Sequence, residues 1–75
     1  MNEPHMTRSD RVLTAIRDFW RVHGYGPSIR DVGLAAGLTS TNGTRYWLHK
    51  LRKDGWILWD HRKPRTLRTT ERVRV

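Results

Sequence analysis

Seventy-five residues without a cysteine make one small domain, which must build its core without disulfides or cysteine-bound metal. Fifteen Lys and Arg against seven Asp and Glu leave a formal net charge of +8, and a small basic domain is expected to meet a polyanion. No apolar run is long enough for a membrane span and no secretory-type apolar segment follows the N-terminus, so the chain is expected to be soluble and cytoplasmic.

Residues 1–6 show no periodicity and are expected to be flexible. Thr7 is placed to cap a first helix, with Asp10 as its capping-box partner. Val12, Leu13, Ile16, Phe19 and Trp20 then recur at helical spacing, while Arg8, Arg11, Arg17 and Arg21 lie mostly off that stripe. His23 falls in the last turn, where the helix dipole favours a cation, and Gly24 supplies the stop. Gly24-Tyr25-Gly26-Pro27 is a tight connection. Ser28 caps a second, short helix with Asp31 as box partner. Ile29, Val32 and Ala36 face inward, and Gly37 ends it. Leu38 enters the core, and Ser40 (or Thr39) caps a third helix.

The stretch from Leu38 to Gly55 reads as one amphipathic helix. At about 100° per residue, Thr44, Leu48 and Leu51 share one face. Ile16, Trp20, Leu48 and Leu51 are expected to be buried together, with Val32 contributing. Asn42, Arg45, Tyr46 and His49 fall on the other side of the third helix, offering an amide, a guanidinium, a phenol and an imidazole. Such groups read base edges or hold phosphates, so this is expected to be a DNA recognition helix. Gly43, in its first turn, costs helix stability; it is read either as tolerated near a helix end or as clearance for DNA. Trp47, at the edge of the buried stripe, is expected to pack half-buried, and the four tryptophans together to supply much of the buried area.

Beyond Gly55 the pattern changes. Trp56 to Trp59 is β-compatible and too short for a helix. Asp60-His61-Arg62-Lys63-Pro64 is turn chemistry with a basic tip, and Arg65 to Thr69 alternates, so it can pair back as a second strand. Trp56 or Ile57, with Leu67, should point inward. Residues 70–75 either prolong the strand or form a basic tail. The expected fold is α+β, mostly α: a winged helix-turn-helix over residues 7–69, three helices followed by a two-stranded hairpin wing.

At this point the segments GYGPSIRDVGLAAGLTST, RYWLHKLRKDGWI and KPRTL carry a specific likeness. The run from Thr7 to Thr69 resembles the N-terminal DNA-binding domain of the LexA repressor, most of all in its actinobacterial form. The resemblance implies duplex DNA, with the third helix in the major groove. It also implies base contacts from the helix start and its first two exposed turns, which hold Ser40, Asn42, Gly43, Arg45 and Tyr46 here. Asn42 is the asparagine common in the family; Gly43 and Trp47 depart from its commonest choices. The two contact positions that follow Asn42 vary between branches, so the operator is not transferred. LexA also has a second, self-cleaving domain, and this sequence holds no counterpart. Self-cleavage is therefore not carried over, and both a piece of a longer repressor and a free-standing regulator, for instance a phage-borne one, stay open.

Phosphate contacts are expected from Arg30 at the start of the second helix, from His49, Lys50 and Lys53 along the third, and from Arg62, Lys63 and Arg65 on the wing. The four histidines lack ligand spacing, the serines serve as caps, and no Gly-rich phosphate loop follows a strand. No catalytic residue, metal, cofactor or small-molecule ligand is expected, and no enzymatic activity. The leading reading is a sequence-specific double-stranded-DNA-binding regulator, a monomer when isolated that pairs on inverted half-sites, near the nucleoid of a bacterial or phage-infected cell. The alternative is an accessory or anti-repressor winged helix acting through a protein partner or DNA architecture. RNA binding is a third reading, disfavoured because RNA readers display aromatics on a sheet or loop.

Overall fold

The computed structural model describes residues 7–70. Thr7 opens α1 (Arg8–His23) with a reciprocal capping box: its hydroxyl accepts from the Asp10 amide at 3.1 Å, and the Asp10 carboxylate accepts from the Thr7 amide at 3.2 Å. Gly24, left-handed, closes the helix by donating its amide to the Trp20 carbonyl. Ser28 and Asp31 repeat the box at the start of α2 (Ile29–Ala36), at 3.0 Å in both directions. Ser40 caps α3 (Thr41–Lys53), its Oγ accepting from the Gly43 amide at 2.9 Å. Each expected start, like the stops at Gly24 and Gly37, is thus a satisfied backbone group, while α3 ends at Lys53 with Asp54 as its cap, one residue before the expected Gly55.

Two close approaches set the geometry between these elements. A Cβ on Gly33 would stand 2.9 Å from Thr44 Oγ1, so α2 and α3 cross there only because residue 33 has no side chain. Thr44 is buried, and its hydroxyl donates to the Ser40 carbonyl at 3.0 Å. A Cβ on Gly26 would meet the Leu67 and Arg65 carbonyl oxygens at 2.6 and 2.8 Å. The Gly26 amide itself donates to the Arg65 carbonyl at 2.9 Å. The turn between α1 and α2 is therefore pressed against the wing, backbone to backbone.

The core is aliphatic. Val12 and Ile16 of α1, Val32 and Ala36 of α2, and Leu48 and Leu51 of α3 meet Ile57 and Leu67 from the wing. The tryptophans do not fill it. Trp20, Trp47, Trp56 and Trp59 all pack half-buried around it. The expectation that Trp20 is buried with Ile16 and Leu48 is corrected here. Its indole N–H needs an acceptor and finds the Leu67 carbonyl at 2.6 Å, which keeps the ring at the margin as a brace between α1 and the wing. Trp47 packs half-buried, as its place at the stripe edge suggested.

The wing is shorter as a sheet than the alternating pattern promised. β1 (Ile57–Leu58) and β2 (Arg68–Thr69) pair antiparallel, Ile57 opposite Thr69 and Leu58 opposite Arg68. The Thr70 amide adds one bond to the Trp56 carbonyl at 2.9 Å. Arg65, Thr66 and Leu67 do not join the ladder, for three reasons. Arg65 is left-handed, with φ 63°. The Arg65 and Leu67 carbonyls are taken by Gly26 and Trp20. The Thr66 hydroxyl accepts from the Asp60 amide at 2.8 Å, closing the tip instead. Residues 1–6 and 71–75, and with them the expected flexible start and most of the tail, lie outside the described residues.

Asp31 links the α2 cap to the wing. Its carboxyl is held below the ordinary carboxylate range first by the Ser28 backbone N–H, then by the Ser28 hydroxyl, with weaker help from Arg65 and His23 and against partial desolvation. A lowered folded-state pKa contributes stability that is complete above the ordinary value of 3.8 and is lost as pH falls through the folded-state value. Thermal melts from about pH 6 down to about pH 3 should therefore show a steeper acid decline for the parent than for Asp31→Asn. Parallel declines would remove Asp31 as a source of acid sensitivity.

Candidate nucleic-acid interface

Burying Thr44, Leu48 and Leu51 turns the opposite face of α3 outward. Asn42, Arg45, Tyr46, His49, Lys50 and Lys53 are all exposed on it. The first turn of α3 carries no acidic residue, so the positive end of its dipole is not neutralised. Lys50, Arg52 and Lys53 complement the negative end in its last turn.

The site residues fall into three adjoining regions. Arg45 and His49 share a cleft of about 320 Å³ with Lys63 and Arg65 of the wing and with Ser28 at the start of α2. Tyr46, Lys50 and Lys53 border a shallower depression on the other side of His49. Arg30 lies with Ser40 and Thr41 at the corner where α2 hands over to α3. Asn42 projects from the first turn of α3 and is exposed.

These residues differ in how free their charges are. Among the described residues no carboxylate pairs with Arg45, Arg62 or Lys63. Lys50 approaches Asp54 loosely, at 3.9 Å. Arg65 is held toward the body: its guanidinium lies 3.7 Å from Asp31 and 4.9 Å from the centre of the Tyr25 ring. Tyr25 in turn packs edge-on against Phe19, whose other neighbour is His23 at 4.1 Å. Ser40 has its oxygen committed to the Gly43 amide, which leaves its proton as the group it has to offer. A Cβ on Gly43 would stand 3.0 Å from Ser40 Oγ, but Asp10 and Asp31 carry side chains at the same position after their caps, so the cap alone does not call for glycine here.

The tip of the wing is built rather than loose. The Asp60 carboxylate accepts from the Arg62 amide at 2.9 Å, an Asx-turn, and the Lys63 amide donates to the Asp60 carbonyl at 3.1 Å. Thr66 bridges to the Lys63 carbonyl at 3.1 Å. Arg62 and Lys63 are thereby presented, exposed, at the end of a closed loop.

Sequence reasoning does not single out Arg52, Trp59 and His61, which join α3 to the wing. Their signal is faint, because nothing in the spacing of residues 52 and 61 says that they meet. Among the described residues no helix is long and apolar enough to cross a membrane, and no three His, Cys, Asp or Glu side chains gather as metal ligands.

Comparison with known proteins places this geometry. A family model described as the LexA DNA binding domain matches residues 3–66. The LexA repressor of Corynebacterium efficiens is 47% identical over 60 residues, 80% of this chain and 26% of the relative. That of Acidothermus cellulolyticus is 42% identical over 60 residues, 80% of this chain and 22% of the relative. The LexA repressor of Lactobacillus johnsonii is 35% identical over 74 residues, 99% of this chain and 36% of the relative. The chain thus spans between a fifth and two-fifths of the length of these relatives.

Proposed function

Because this chain belongs to the LexA DNA-binding domain family, we propose that it is the sequence-specific DNA-binding module of a transcriptional repressor. α3 lies in the major groove. Asn42, Arg45 and Tyr46 read base edges, with Ser40 and Gly43 at the rim where the helix enters. Arg30, His49, Lys50 and Lys53 meet phosphates on either side, and Arg62, Lys63 and Arg65 do so from the wing. The observation that carries this reading is the cleft that unites Arg45 and His49 of α3 with Lys63 and Arg65 of the wing. The protein-partner alternative is not favoured, since the matching family model and the relatives are those of a DNA-binding domain and of repressors that carry it. No enzymatic step is assigned to this domain.

A titration of duplex DNA at two salt concentrations, with random duplex as competitor, tests the reading. DNA binding that weakens steeply with salt and survives competition on a preferred sequence supports it. No binding to any duplex at low salt rejects it. The isolated chain is further proposed to be monomeric and to fill two inverted half-sites with little cooperativity. Sedimentation showing a tight dimer without DNA would reject that part.

The wing is assigned to holding rather than reading. Arg62→Ala combined with Lys63→Ala should weaken binding to specific and scrambled duplexes alike, and should flatten the log–log salt dependence by up to about two units of slope. Anisotropy titrations across a salt series measure both. Loss of sequence preference in this variant would place the wing among the readers.

A further inference from the structure

Between α3 and the wing lies a cluster, beside the cleft, of which only His49 has been given a part in holding DNA. Arg52 Nη1 donates to Nε2 of His61 at 2.7 Å. The Arg52 guanidinium lies 4.2 Å from the centre of the Trp59 ring. Trp59 Nε1 stands 3.3 Å from Nδ1 of His61, with the two rings nearly perpendicular. His49 packs edge-on to the same indole, 5.5 Å between centres. Arginine and tryptophan are donors only, and a neutral imidazole has one acceptor nitrogen. The shorter contact has the stronger claim on it, which assigns Nε2 as the acceptor facing Arg52.

The hairpin needs such a support. Two paired positions are too few to fix its angle, since an isolated two-stranded hairpin is marginal in water. Its outgoing arm is tied to the body through the Arg65 and Leu67 carbonyls. Its incoming arm, from Trp59 to His61, is tied across the hairpin through Asp60 and Thr66, and to a helix through this cluster. Arg62 and Lys63 come directly after His61 in the chain.

We propose that Arg52, Trp59 and His61 form a latch between α3 and the wing, a set of positioning residues that holds Arg62 and Lys63 in place to meet phosphate while α3 occupies the major groove. The latch rests on the DNA-binding reading above for its consequence, although its mechanical part is a property of the free protein. Arg52 acts through the wing and does not itself hold DNA.

Arg52→Lys tests this, because lysine keeps the positive charge and loses the planar fork and the stacked face. In the free protein, amide relaxation should show increased mobility from residue 60 to residue 66 with the three helices unchanged. Binding should weaken by a factor no larger than that of the Arg62→Ala, Lys63→Ala pair, and the salt slope should fall toward that of the pair. Combining all three substitutions should bind no worse than the pair, since the latch has nothing left to position. A wing as rigid in Arg52→Lys as in the parent overturns the latch, whatever happens to affinity. So does a triple variant that loses the full additional factor, since Arg52 would then be touching DNA itself. If the wing pair binds DNA like the parent, the phosphate role of the wing is what fails, and the relaxation measurement still decides the latch.

Discussion

Leu48→Ala should lower the stability of this domain by about 2–5 kcal/mol. Leu48 is 4% exposed and packs in the one cluster that joins all three helices to the wing. Truncation removes its apolar transfer energy and leaves unfilled space in that cluster. Domains of this kind have about 5–15 kcal/mol in total, and a chain this short should lie near the lower end, so the loss is a large fraction of the whole. Chemical denaturation followed by tryptophan fluorescence measures it. Leu48→Met, which keeps the volume, should cost less than about 1.5 kcal/mol. An alanine variant with the parent's Tm would mean that the buried face of α3 has been misassigned.

Arg45→Ala should cost about 1–3 kcal/mol on the preferred duplex and much less on a scrambled one. Arg45 is exposed in the second turn of α3, and among the described residues no carboxylate pairs with it. Its fork matches the paired acceptors of guanine in the major groove, as the Asn42 amide matches those of adenine. Parent and variant should melt alike, since an exposed side chain with no carboxylate partner among the described residues contributes little to folding. Equal losses on both duplexes would make Arg45 a phosphate holder, and α3 would need another reader.

How much of the fold is legible in the sequence depends on how local each cause is. The two capping boxes, the Ser40 cap and the stops at Gly24 and Gly37 are settled by residues a few positions apart, and the sequence displays them directly. The buried face of α3 comes from periodicity, because Thr44, Leu48 and Leu51 must share one side of any helix. The outward residues come from the same geometry with the sign reversed. The features that periodicity misses depend on approaches across the chain. Gly26 is glycine because the Arg65 and Leu67 backbone passes within 3 Å of its missing Cβ, and Trp20 stays at the margin because its N–H finds a carbonyl 47 residues away. Neither neighbour is visible from either position. The second strand is shorter than its pattern because alternation from Arg65 to Thr69 says nothing about the left-handed turn at Arg65 or about carbonyls already taken by the body. The Arg52, Trp59 and His61 cluster is hidden for the same reason: a basic residue in a last helical turn looks like a dipole partner until the wing folds back over it.

The most direct measurement of the central claim, that α3 reads DNA sequence, is selection of binding sites from a random duplex pool by the parent and by Arg45→Ala in parallel. The parent should enrich a motif of inverted half-sites separated by about one turn of DNA or a multiple. Arg45→Ala should enrich the same motif with its preference lost at one position of each half-site. A parent pool with no motif, or a variant pool that keeps every position of the parent's motif, would contradict the claim.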